Sequence, residues 1–119
     1  MAFPLIRLYT GDDRESHFEK GALELPKLEG TAHRSRSRDA ADVSFVESPA
    51  GSSSDWHSDP ARQYVITLSG TLEFETRLGE TCTLAPGTIL LAEESEGGGG
   101  HRWRVTDDQP WRRAYVILE

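Results

Sequence analysis

Apolar residues in this chain fall in short, mostly alternating runs separated by glycine, proline and acidic residues. That period-two rhythm predicts many brief β-strands and no long helix. Phe3 to Tyr9 is the first run, broken by Gly11-Asp12-Asp13. Asp13 to Lys20 reads as one helical turn or an irregular loop, Leu23-Glu24-Leu25 before Pro26 as a weak strand, and Gly30 to Asp39 is polar and ambiguous. From Ala41 the pattern sharpens. Strands are expected over Asp42 to Glu47, Gln63 to Leu68, Thr71 to Thr76, Thr81 to Leu84, Thr88 to Ala92, His101 to Val105 and Arg113 to Leu118. In Thr71 to Thr76 the alternation puts Leu72 and Phe74 on one face and the glutamates outward. About nine short strands with tight turns imply an all-β fold, a closed or nearly closed antiparallel sandwich or small barrel. Gly97 to Gly100 reads either as a flexible link or as a place where backbone passes close to a ligand.

At 119 residues there is room for one domain, taken as residues 1–119, with an N-terminal strand and loop over 1–40 and a barrel over 41–119. Only 36% of residues are apolar, so the core is thin, and a homodimer that buries further apolar surface is expected. The net charge of -7, from 20 acidic and 13 basic residues, disfavours nucleic acid as a partner. The basic run His33 to Arg38 is a local exception that reads as a solvated segment. Cys82 is the sole cysteine and sits in a strand-like run, which makes it a small buried or half-buried residue rather than a nucleophile. The N-terminus lacks signal-peptide features and no apolar run reaches membrane-spanning length, so no membrane partner and a cytoplasmic location are expected.

The chemistry concentrates between Gly51 and Gly70. His57 and Asp59 are two residues apart and point to one face of an extended chain; Gln63 shares their parity if the strand continues to Leu68. Nitrogen and oxygen donors converging in this way suit a borderline divalent metal, namely iron, zinc, manganese or nickel. Asp59 has a competing role, because it precedes Pro60 and fits a turn with its carboxylate outward. Tyr64 and Trp103 are candidate walls of a substrate pocket, and His17 lies on a segment able to fold over its mouth. No phosphate loop, dinucleotide fingerprint or supported serine nucleophile appears.

Gly51, His57, Asp59, Gln63 and Gly70 occupy the spacing of the first cupin motif, with Asp59 in place of the second histidine and Gln63 in place of the glutamate. Gly79 and Gly87 fit the second motif, with Ala85 at its proline position, Pro86 beside it and Leu90 where its histidine belongs. The chain thus resembles a cupin, and the stretch Ala85 to Trp103 together with Ser16-His17-Phe18-Glu19 is similar to small bacterial single-domain members. The resemblance implies a jelly-roll barrel, or double-stranded β-helix. It leaves His101 as the histidine able to stand in for the missing one, so that His57, Gln63 and His101, with Asp59 as a fourth donor, form the implied metal set. Two functions follow as expectations: a metal-dependent protein acting on a small polar organic molecule, or a metal-free module that binds or senses a small ligand. A nucleic-acid reader using the Arg34 to Arg38 run is the third and is disfavoured by the total charge.

Overall fold

The computed structural model describes residues 1–119 and contains eleven β-strands and no helix. They are β1 (Ala2–Thr10), β2 (Ser16–Glu24), β3 (Lys27–Glu29), β4 (Ala32–Arg34), β5 (Ala40–Ser48), β6 (Gln63–Ser69), β7 (Leu72–Thr76), β8 (Thr81–Leu84), β9 (Ile89–Glu93), β10 (His101–Val105) and β11 (Trp111–Leu118). No helix is long and apolar enough to cross a membrane.

Six strands form one sheet in the order β2-β1-β9-β6-β11-β5; three form another, β10-β7-β8; β3 and β4 make a separate exposed hairpin. The two main sheets pack face to face. Ile6, Leu8, Val65, Leu90 and Trp111 from the large sheet and Leu72, Phe74, Leu84 and Val105 from the small one make a single buried cluster. Full burial of such a side chain is worth about 1.5–3 kcal/mol, so the interface between the sheets is where the fold gains most of its stability. The expected alternation in β7 is present: Leu72, Phe74 and Thr76 are buried, while Glu73 and Glu75 point out and pair with Arg104 and Arg102 on β10. On β8 the half-buried Cys82 lies opposite Phe74 and packs against the core.

Three departures from the sequence reading have physical causes. The large sheet is mixed rather than purely antiparallel, because β1 and β9 run parallel, with the whole intervening chain as their crossover. The two ladders also do not run into one closed ring, since the large sheet ends on β2 and β5 and the small one on β10 and β8. Finally, the polar segment after Gly11 is neither helix nor loop. A turn closed by the bonds from Gly11 N–H to Glu15 O (2.9 Å) and Arg14 N–H to Gly11 O (3.0 Å) sends the chain back as β2, paired with β1 along its full length. Pairing with a neighbouring strand here overrides a local pattern that carries no period-two signal.

The segment between β5 and β6 covers the open edge of β10. Isolated bridges join Ser53 to Arg104 and His57 to His101, and Ser54 N–H donates to Trp103 O (2.9 Å). Gly70, at φ 91°, makes the β6–β7 turn where a Cβ would stand 2.9 Å from the carbonyl oxygen of Pro110, so the residue required by the turn is also required by packing. Within the largely exposed basic run, Arg34 pairs with Glu29 (3.1 Å) and Arg38 donates to Tyr64 Oη (3.1 Å).

Burial pushes the Cys82 thiol up to about 12. The native chain is therefore expected to react with iodoacetamide at pH 8 far more slowly than the urea-unfolded chain, whose thiol has an ordinary value of about 8.5. Equal rates, read by mass spectrometry, would contradict the packing assigned to β8.

Candidate metal centre

His57 and His101 face each other because their backbones are bonded twice, His57 N–H to His101 O at 2.9 Å and His101 N–H to His57 O at 2.8 Å. In such an antiparallel pair both side chains project from the same side of the ladder. The ring centroids are 4.4 Å apart. Gly100 makes this approach possible. At φ 77° it tolerates a backbone conformation that disfavours other residues, and a Cβ there would lie 2.5 Å from the carbonyl oxygen of His57. The glycine run is thus not a free tether. It is threaded against the His57 backbone on one side and the β1–β2 turn on the other, where Gly99 N–H donates to Arg14 O (2.8 Å).

Each imidazole has one nitrogen committed. His57 Nδ1 lies 2.9 Å from the carbonyl oxygen of Asp55, an atom that only accepts, so Nδ1 carries the proton and Nε2 is left with its lone pair. His101 Nδ1 lies 2.8 Å from Glu94 Oε1, which assigns its proton in the same way. Asp59 joins the two free nitrogens: its Oδ2 is 3.4 Å from His101 Nε2 and 3.8 Å from His57 Nε2. One donor atom from each of the three residues fits within a 4.8 Å group. The Asp59 carboxylate therefore turns inward despite Pro60. The reason is its own backbone: Asp59 N–H donates to Glu94 Oε1 (2.9 Å), which fixes the residue beside His101.

Glu94 is the residue that sequence reasoning missed. Its side chain is fully buried, and it receives bonds from His101 Nδ1, the Asp59 backbone and the Ser16 hydroxyl at the start of β2. Burial alone raises its carboxyl; the hydrogen bonds from His101, Ser16 and the Asp59 backbone, with the electrostatic attraction of the His101 N–H, outweigh that effect and hold it below the ordinary carboxylate range. Phe74 stacks on the inner face of His101 at 5.5 Å and 11°, closing the site on the core side. The outer side is open. The His57 and Asp59 side chains are 37% and 32% exposed against 1% for His101.

Of the other expected site residues, Tyr64 and His17 play other parts, while Gln63 and Trp103 face the interior. Gln63 is buried at the head of β6, on the interior face with Val65 and Thr67, and makes no side-chain hydrogen bond. Tyr64 is not a wall of that cavity. Adjacent strand residues face opposite ways, so an inward Gln63 sends Tyr64 to the outer face, where it meets Arg38. Trp103 shares the inward parity of His101 and, half-buried, packs edge-on against Trp111, 4.8 Å away, at the border of the core, where it also lines a groove with Ser53 and Ser54. His17 does not cover the site. Its Nε2 is 2.9 Å from Asp13 Oδ2 and its Nδ1 is 2.8 Å from Glu80 Oε2, so it clips β2 to the β7–β8 turn and ties the two sheets together. Arg62 and Arg102 are surface residues paired with Glu93 (2.9 Å) and Glu75 (2.7 Å).

No family model and no curated protein matches the chain. Among solved structures, a conserved protein of unknown function from Streptococcus pyogenes is similar over 71% of this chain and 69% of its own, at 19% identity and a TM-score of 0.48.

The His17 clip gives a pH signature. The hydrogen bond to Asp13 is the main cause that raises the His17 value; burial opposes it, and Glu80 adds to the rise. A histidine whose folded value is raised contributes stability that is complete below its unfolded value of about 6.5 and is lost as pH climbs through the folded value. The stability difference between wild type and His17→Gln, measured by urea unfolding from pH 5.5 to 9, is expected to be largest at the acid end and to shrink as pH rises. A difference that grows with pH would remove the clip.

Proposed function

We propose that this chain is a small cupin whose His57, Asp59 and His101 hold a divalent metal, with Gln63 available as a further neutral donor, and that it acts on a small polar organic molecule reached from solvent. The jelly-roll barrel of that family is the finer form of the two-sheet architecture. In its support stand the glycines at 51, 70, 79 and 87 and the meeting of the first-motif histidine with His101. The observation that carries the metal reading is the convergence of His57 Nε2, His101 Nε2 and Asp59 Oδ2 with both Nδ1 atoms already engaged. Oriented imidazoles with acceptors behind them are the usual surroundings of metal-ligating histidines.

Two histidines and one carboxylate suit iron, zinc, manganese or nickel, and they leave coordination positions free. When bound, such a metal supplies Lewis-acid or open-site redox chemistry. The chain's own part is to present donors already in position. The backbone bridge sets the separation of the imidazoles, Asp55 and Glu94 fix their tautomers, and Phe74 keeps water from the inner face of His101. The exposed edge formed by His57 and Asp59 is where a substrate would enter.

Calorimetric titration of chelator-treated protein with zinc and manganese is expected to show one site per chain. His57→Ala and His101→Ala should abolish it. Glu94→Gln keeps an acceptor for His101 and for the Asp59 N–H but loses the charge, and should weaken binding by about 10–100-fold, the range found for partners of metal-bound histidines. Full affinity in both histidine variants would show that the ligands are wrong. Absence of binding in the wild type would favour the metal-free small-ligand module.

A further inference from the structure

A sheet with one face in water carries polar side chains on that face, yet the large sheet of this chain is apolar on both. The strand registers lay its outer face out in rows. Leu5 of β1 stands beside Ile89 of β9, Ile89 beside Ile66 of β6, Ile66 beside Ala114 of β11, and Ala114 beside Phe45 of β5. The adjoining row on the same five strands runs Arg7, Leu91, Tyr64, Val116 and Val43. Directly opposed residues share a face, and these positions alternate with the core residues Ile6, Val65, Leu90 and Trp111, so their side chains leave the sheet away from the interior. Arg7 is the one charge in the two rows, and it is already met by Glu93 and, at 3.8 Å, by Glu19.

The same chain builds a wetted face differently. The outer face of the small sheet presents Glu73 and Glu75 on β7, Arg102 and Arg104 on β10, and Thr81 and Thr83 on β8. On the large sheet, Phe45 and Val43 are 75% and 59% exposed, and Leu68 continues the face on β6 at 57%. Leu5, Ile66, Ile89 and Val116 are half-buried. The chain's own segment from Ser35 to Arg38 borders the band at Tyr64 and Val116 and leaves Phe45 and Val43 open. Strand β5 also has one unpaired edge, and eight of its nine residues are exposed.

We propose that this outer face is the contact between two copies of the chain, each copy's rows lying against the other's across a two-fold axis. Its charges favour a second copy over a foreign partner. The ion pairs at its border are closed within the chain, Arg62 with Glu93 at 2.9 Å and Arg112 with Glu47 at 3.0 Å, so the face offers no field for a partner of opposite sign to read. In an isologous contact such a face meets its own equal. Acidic residues without an ion pair, such as Asp12, Asp107 and Asp108, lie in turns off the band. The area also agrees. Six strands of five to nine residues, about 4.8 Å apart with about 3.3 Å per residue, make a face of roughly 650 Å² before side-chain relief, close to the ~800 Å² per partner of a standard interface. The metal centre is left clear, because His57 and His101 form a bridge at the edge of the small sheet.

Sedimentation equilibrium is expected to give twice the chain mass of 13.2 kDa. Phe45→Asp should halve the measured mass, since it sets a charge against an apolar surface at a side chain that is open to solvent in the single chain. Leu68→Asp repeats the test from β6, and circular dichroism checks that both variants are folded. Thr83→Asp, on the polar face of the small sheet, should leave the mass doubled. His57→Ala should also stay doubled, which separates this proposal from the metal reading. In a mixture of labelled and unlabelled chains, intermolecular NOEs are expected at the methyl groups of Ile66, Ile89 and Val43. A single-chain mass at every concentration would overturn the proposal by leaving the band to a different protein. A doubled mass that survives both charge variants, or intermolecular NOEs confined to the free edge of β5 or to the β3–β4 hairpin, would overturn it by moving the contact elsewhere.

Discussion

The two reciprocal backbone hydrogen bonds between His57 and His101 are the constraint on which the site depends. They fasten the irregular stretch after β5 to the free edge of the small sheet, and they do so at the one register that sets both imidazoles on the same side. Neither residue is held there by its own side chain alone. The bridge in turn requires that Gly100 lack a Cβ, since the His57 carbonyl occupies the space that one would need. Backbone packing, and not the donor atoms, thus decides whether the donors meet.

Glu94 turns that juxtaposition into an oriented site. A fully buried carboxylate is costly unless its lone pairs are filled, and three donors from three separate parts of the chain fill them: Ser16 on β2, the Asp59 backbone, and His101 on β10. The same contacts that stabilise Glu94 place two of the three candidate metal donors. Stability and the geometry of the candidate site are therefore not separable at this residue. Arg113, at the other end of the interior, shows the opposite economy: a buried charge with neutral partners and one nitrogen unspent.

Much of the strand layout was legible in the sequence, because a half-buried strand has to alternate. Leu72 and Phe74 against Glu73 and Glu75 announce β7, and Gly70 and Gly79 bound it. The register between strands distant in sequence was not legible. Nothing local to Ser16–Glu24 says that it pairs with β1, and nothing local to Phe3–Tyr9 says that it lies parallel to β9. At the site, the parity of His57 and Asp59 was readable, and so was the candidacy of His101 through its resemblance. Tyr64 was misplaced, although the inward reading of Gln63 already excluded it. Glu94 had no signal at all. Its role arises from three contacts, two of them with residues far away along the chain, and the second of two adjacent glutamates just past a strand looks like any solvated one.

The central claim is that His57, Asp59 and His101 form one coordination site. Its most direct test is an anomalous diffraction map from crystals of the zinc-loaded protein, recorded on both sides of the zinc absorption edge. The account predicts a single peak bonded to Nε2 of both histidines and to Asp59 Oδ2, at about 2.0–2.2 Å from each. A peak on Nδ1 of either ring, or zinc only on surface carboxylates with the space between the two imidazoles blank, would contradict it.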